Sequence, residues 1–176
     1  MSDLSQVGLD SQCLSYLIDT LEGIAAPTDR LAEQKLALVR SYLYTPGTLW
    51  VTPTVEREFR RIRDARRRAS HVSWTNVLFG VRRVNAAVAV ADRAVSLEQF
   101  HDDPDDRLVL AEAEDIGFTT LLSFDTDFVK HLAPHARLSL TTPGEFWKNL
   151  AIPRGATPTT VPADGNPLAD EDWWRW

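Results

Sequence analysis

With 176 residues, 44 % of them hydrophobic, the chain is long enough for one domain with a sizeable core, and no run approaches the roughly 18 consecutive apolar residues of a membrane span. A single cysteine, Cys13, excludes an internal disulfide and a cysteine-based zinc cluster. The net charge of −6 weighs against general polyanion binding, yet it is unevenly spread: seven arginines crowd residues 57–68, while acids gather at 101–106 and at the C-terminus.

In chain order, Val7-Gly8-Leu9 is a short apolar run ending at Asp10 and reads as a buried strand. Leu14, Leu17, Ile18 and Leu21 follow at helical spacing, stopped by Gly23 and Pro27. Thr28 or Asp29 can cap a second helix through about Tyr42. Thr48 to Val51 reads as a second strand, and Pro53 suits the first turn of a third helix, with Val55, Phe59 and Ile62 as its apolar stripe and the arginine run along its length. Residues 71–85 are ambiguous between helix and strand. Ala86 to Phe100 reads as a helix. Asp105 or Asp106 opens the next, through Ile116, and Gly117 closes it. A strand over Thr119–Ser123 runs to Asp125, Phe128–Leu132 is a helical turn, Arg137–Leu140 is a further strand, and Thr142-Pro143 opens a last helix through Leu150.

Strands separated by helices predict an α/β domain, a Rossmann-like parallel sheet of four to five strands with helices on both faces. The domain is expected to span residues 1–152. Residues 153–176 carry four prolines, two glycines and an acidic, tryptophan-rich end, and read as a flexible tail outside the core. Three of the six tryptophans, Trp173, Trp174 and Trp176, lie in that end, which predicts docking on a neighbouring subunit or a partner protein. The polar start, Met1 to Gln6, does not resemble a secretory signal, so the expected compartment is the cytoplasm.

Ligands of open α/β sheets bind beyond the carboxyl ends of the strands, where strand order reverses. Asp10 and Asp125 follow strands, Asp106 falls at a helix start, and Glu58 lies one turn into the helix after the second strand. Four carboxylates from four segments can therefore converge. Such groups repel one another unless a cation joins them, and hard oxygen ligands select Mg2+ or Mn2+ over zinc. One or two such ions can activate water against a phosphodiester.

These residues sit in stretches that resemble a known family. Leu9-Asp10-Ser11, Val55-Glu56-Arg57-Glu58-Phe59, Asp103-Pro104-Asp105-Asp106 with Arg107 to Ala113, and Leu122-Ser123-Phe124-Asp125-Thr126-Asp127-Phe128 are similar, in order and spacing, to the acidic motifs of PIN-domain nucleases. Leu138 to Phe146 resembles that family's last strand and helix, so the likeness spans about residues 5–150. The resemblance implies a PIN-like fold and a metal-dependent endoribonuclease. Its metal-binding and catalytic acids would be Asp10, Glu58, Asp106 and Asp125. Since the family includes VapC-type toxins, it admits an antitoxin partner and a homodimer. The arginines Arg57, Arg60, Arg61 and Arg67, with Arg82 and Arg83 behind them, are the expected RNA contacts.

Simpler readings stand beside these. Asp10 can serve as a helix cap alone, Glu58 as a solvated acid paired with Arg57 or Arg61, and the arginine run as a solvated face. Glu56, Asp103 and Asp127 compete with their neighbours. Gln12 departs from the family pattern, where Asn or Ser follows the hydroxyl residue, and favours the alternative of a catalytically silent module binding RNA or protein. Ser123 can orient an acid, though a strand-end serine more often bonds backbone or water. A phosphatase on a similar sheet is disfavoured, because the first strand end carries no Asp-x-Asp and no glycine-rich phosphate loop appears. The histidines His71, His101, His131 and His135 lack metal-ligand spacing and receive no role, and Cys13 reads as a core thiol.

Overall fold

A computed structural model describes residues 4–23 and 25–176; the first residues of the polar start, 1–3, and Ile24 lie outside the described residues. Five strands, Val7–Leu9 (β1), Trp50–Val51 (β2), Gly80–Val81 (β3), Thr120–Leu122 (β4) and Ser139–Thr141 (β5), form one sheet of order β3-β2-β1-β4-β5. Every pair is parallel, with Leu9 opposite both Val51 and Leu122. The α/β architecture expected from the sequence, a parallel sheet of four to five strands flanked by helices, is the one observed. Eight α-helices are found among the described residues: Ser11–Leu21 (α1), Ala32–Tyr44 (α2), Pro53–Phe59 (α3), Ala65–Val77 (α4), Ala87–Ser96 (α5), Pro104–Ile116 (α6), Thr126–Leu132 (α7) and Pro143–Leu150 (α8). Helical crossovers join the parallel strands, and α3 packs against α6. Helix α8 returns to pack along α2. None of the described helices is long and apolar enough to cross a membrane.

The sequence signals for helix starts translate into specific caps. Thr52, Asp103 and Thr142 each precede a proline at the first helical position, and each accepts a hydrogen bond from a first-turn amide. The cap of α6 is therefore Asp103, which accepts from the amides of Asp105 (2.8 Å) and Asp106 (3.3 Å), rather than Asp105 or Asp106 itself. Helix α2 begins later than expected, at Ala32; Asp29 accepts from Leu31 N–H in the turn before it, and no side chain caps the helix.

The arginine run does not lie on one helix. Asp64, an effective cap, accepts from Arg67 N–H at 2.6 Å and starts α4, so the chain breaks between Phe59 and Ala65. The ambiguous segment 71–85 contains the end of α4 and the two-residue edge strand β3, too short for any period to register. Gly80 is required there: a Cβ would stand 2.3 Å from the Trp50 ring of the adjoining strand.

Residues 153–176, read from the sequence as a tail outside the core, instead supply it with Leu168 and Trp174, the latter fully buried. The Trp174 indole donates to Leu168 O at 2.9 Å and stands edge-on to Tyr44. The Trp176 ring lies edge-on to Trp147 and under the guanidinium of Arg40, while its amide donates to Tyr44 Oη. Thr160 N–H reaches Leu43 O, and the Asn166 side chain reaches Leu21 O. The tryptophans thus cover α2 and α8 of their own chain, and Asp172 pairs locally with Arg175 instead of meeting the arginine-rich helices. Trp174→Ala is expected to destabilise the protein by about 3–5 kcal/mol, as for other buried aromatic truncations. Urea unfolding followed by far-UV circular dichroism measures this, and removal of residues 153–176 should lower the midpoint at least as far.

Candidate active site

Strand order reverses between β1 and β4, and the chain continues from both strand ends into acids. Asp10 N–H donates to Leu122 O at 3.0 Å, carrying the ladder one step past β1. The Asp10 carboxylate, almost fully buried, caps α1 by accepting from Cys13 N–H at 2.7 Å. Both the cap reading and the site reading of Asp10 therefore place the group at the same point. Asp125 caps α7, accepting from the amides of Asp127 (2.8 Å) and Phe128 (3.0 Å).

Between them stands Ser123, completely buried. Its hydroxyl oxygen accepts from Asp125 N–H at 2.9 Å, and its hydroxyl favours the ionised form of Asp10, so one side chain bears on both acidic loops. Gln12 is exposed on α1.

Burial lifts Asp10 from the ordinary 3.8 to about 6, against the Ser123 and Cys13 hydrogen bonds and with the charge of Asp106 adding to the rise. Glu58 is lifted from 4.5 to about 7, first by burial and then by the charges of Asp105, Asp106, Asp10 and Asp103. Asp106 is also raised, chiefly by burial, with Asp103 and Asp125 pushing it up and His101 pulling it down. The charge of Asp106 thus bears on both Asp10 and Glu58, and Asp125 bears on Asp106. None of Asp10, Glu58 and Asp125 takes part in an ion pair with Lys or Arg among the described residues. Glu56, the competitor of Glu58, is paired with Arg60 at 2.6 Å, and Glu58 is paired with neither Arg57 nor Arg61.

Asp103, Asp106, Asp125, Asp127, His101 and His131 line a cleft of about 430 Å³; Asp10 and Glu58 do not line it. Among the described residues no three His, Cys, Asp or Glu side chains are gathered tightly enough to hold a metal ion as they stand. In donor chemistry the set is all hard oxygen, and its mutual repulsion is the kind a divalent cation relieves.

Two residues given no role on sequence grounds hold this arrangement. Glu112, on the buried face of α6, accepts from Thr54 N–H and Thr54 Oγ1, both at 2.9 Å, and pins the start of α3, the helix that carries Glu58. A buried acid in an apolar helix stripe was the available signal. His101 bonds Asp106 at 2.7 Å across five residues. His71, by contrast, is a fully buried cross-link between Ser15 and Arg67 O, and Cys13 is a buried free thiol, as expected.

Of the four arginines expected to contact RNA, three are in ion pairs within the chain: Arg57 with Asp105, Arg60 with Glu56 and Arg67 with Asp19. Arg61 is exposed, as are Arg63, Arg66 and Arg83, and none of these is ion-paired among the described residues. Arg82 stacks on the Trp50 ring, 4.1 Å from its centroid.

No family model and no curated protein matches the chain. Among solved structures it is similar to VapBC2 from Rickettsia felis bound to a DNA fragment from its promoter, with 14 % identity, a TM-score of 0.48, and coverage of 77 % of this chain and 96 % of that one.

A carboxyl whose folded pKa is raised binds more protons in the folded chain than in the unfolded one. Its favourable contribution is complete below the unfolded pKa and is lost as pH rises through the folded value. For Asp10 the window runs from 3.8 to about 6, and for Glu58 from 4.5 to about 7. Lifting a carboxyl from 3.8 to about 6 corresponds to roughly 3 kcal/mol. In metal-free buffer, Asp10→Asn and Glu58→Gln should therefore be more stable than the wild type at pH 7. That advantage should shrink as pH falls to 5, as measured by urea unfolding at each pH.

Proposed function

We propose that the chain is a Mg2+- or Mn2+-dependent endoribonuclease. The observation that carries this reading is the set of four carboxylates from four elements, coupled through Asp106 at the switch point of the sheet, with Asp10 and Glu58 raised and unpaired. Asp10, Glu58, Asp106 and Asp125 would hold one or two ions. When bound, such ions activate water and stabilise charge developing on a leaving phosphodiester oxygen. The protein's part is positional. Ser123 and the α1 amide fix Asp10, the α7 amides fix Asp125, and Glu112 fixes the helix bearing Glu58. The order of the acidic motifs, resembling that of PIN-domain nucleases, supports RNA as the substrate. It also supports a role as the toxin of a toxin–antitoxin pair, with an antitoxin protein as partner, a homodimer as the assembly and the cytoplasm as the compartment.

The alternative, a catalytically silent PIN-like module, is favoured by one observation: no three of the described acids and histidines are already close enough to hold a metal ion. Incubating the full chain with a panel of RNAs, with Mn2+ or with excess chelator, separates the two. Manganese-dependent cleavage that Asp10→Asn and Asp125→Asn reduce to the chelated level supports the nuclease. Metal or RNA binding without cleavage supports the silent module.

The ion pairs reorder the expected arginine contacts. Replacing Arg61 and Arg66 by Ala should weaken RNA binding and flatten its dependence on salt, because a chain that grips fewer phosphates displaces fewer counterions. Replacing Arg57 and Arg60, already paired, should change the salt slope less. Fluorescence-anisotropy titrations across salt concentrations check both, and an equal slope for all variants would assign these helices a purely solvated face.

A further inference from the structure

We infer that His101 is the positioning residue for Asp106, the group that orients this carboxylate toward the shared site. This rests on the metal-site reading above. The four acids differ in how they are held. Asp10 and Asp125 are helix caps, and backbone amides fix their carboxylates. Asp106 follows the cap of α6, so the free amides at that helix start go to Asp103 and none orients Asp106. The hydrogen bond that does orient it comes from His101 Nε2, at 2.7 Å to Oδ2. Oδ1 takes no hydrogen bond among the described residues, and Asp106 lines the acidic cleft.

The imidazole is itself held on several sides. Its side chain is only 10 % exposed. The Phe128 ring lies 5.9 Å from it, and the His131 ring 5.7 Å away, with the two Nδ1 atoms 3.5 Å apart. The backbone carbonyl of His101 accepts from Arg107 Nη1 at 3.0 Å, tying the loop before α6 to the helix it precedes. A neutral imidazole that donates from Nε2 must accept at Nδ1, which assigns the donor role in the short approach between the rings to His131. Phe128, one turn into the helix capped by Asp125, thus buttresses the residue that orients Asp106, and the orientations of two acids share one packed unit. Hydrogen bonds to metal-ligating carboxylates commonly matter this much: their removal costs about 10–100-fold in metal affinity or activity.

The test uses Mn2+ binding to the full chain by isothermal titration calorimetry, beside unfolding midpoints. His101→Phe keeps the ring packing on Phe128 and removes the donor. His101→Gln places an amide N–H where Nε2 stood. Expected are a fall in Mn2+ affinity of about 10–100-fold for His101→Phe, recovery of most of it in His101→Gln, and no further fall when His101→Phe is added to Asp106→Asn. Metal-free wild type should also show His101 protonated at Nε2 in its imidazole nitrogen resonances, a readout that needs no variant to fold. Wild-type affinity in His101→Phe, an equal fall in the Asp106→Asn background, or a proton on Nδ1 alone would overturn the assignment of His101 while leaving the metal site standing. A wild-type chain that binds no Mn2+ would overturn both.

Discussion

Asp10 gives its amide to Leu122 O, and Ser123, the residue after Leu122, accepts with its hydroxyl oxygen from the amide of Asp125. On this short exchange between the ends of β1 and β4 the whole arrangement depends. The parallel register that sets Leu9 opposite Leu122 brings the two acidic loops level. A slip of one residue would turn Asp10 to the other face of the sheet and separate Ser123 from both loops. Everything else in the site is attached to this seam. Helices α1 and α7 grow directly out of it, and their first-turn amides fix the two carboxylates. Helix α6 is held against α3 by Glu112, so Asp106 and Glu58 move together.

The cost of this seam is electrostatic. Asp10, Glu58 and Asp106 are all pushed toward the protonated form by burial; the charge of Asp106 adds to the rise of Asp10 and Glu58, and Asp103 and Asp125 add to that of Asp106. A sequence selected for stability alone would hardly place them so, since neutral or apolar residues would fold more readily there. A cluster of raised carboxyls of this kind makes the strand ends the candidate functional site of the chain. The compensation lies elsewhere in the chain. Leu168 and Trp174 join the apolar core, and Trp176 lies against Trp147 between the guanidiniums of Arg40 and Arg154.

How much of this the sequence discloses depends on the range of each interaction. The caps at Thr52, Asp103 and Thr142 are local, and a proline follows each, so the helix starts were legible to within a residue or two. The choice among Asp103, Asp105 and Asp106 as cap was not, because three acids within four residues present the same local signal. The break between α3 and α4 was hidden by arginine's tolerance for helix, though Asp64 carried the capping chemistry. The strand β3 was too short to show a period. The C-terminal stretch was misplaced because its composition is that of a tail, while its burial is decided by where α2 and α8 meet, a contact between distant parts of the chain. The four proposed acids are singled out in the sequence by their position after strands and at or near helix starts. Their supports were not legible that way: Glu112 works through Thr54, 58 residues away, which only the fold brings near, and His101, though it bonds Asp106 only five residues on, sits in a loop without regular spacing and is braced by the ring of His131, 30 residues away.

The fold also orders charge across the sheet edge. On one side of the Ser123–Asp10 seam lies the cleft of acids and histidines. On the other, Ser11, Gln12 and Ser15 of α1 line a second cleft, of about 460 Å³, with Lys35, Arg67 and the ring of Phe124. Phe124 and Asp125, adjacent in sequence, thus face different clefts. Beyond the second cleft, α4 and the turn before it present exposed Arg61, Arg63 and Arg66. A chain with a net charge of −6 repels polyanions at long range, but within a Debye length of about 8–10 Å the local pattern governs. The arginines paired with Asp105, Glu56 and Asp19 serve the framework: Arg57 joins α3 to the start of α6, and Arg67 joins α4 to α1. The density of arginine in residues 57–68 therefore reflects two demands, holding two short helices against their neighbours and offering positive charge, and the ion pairs separate the residues that meet the first from those left for the second.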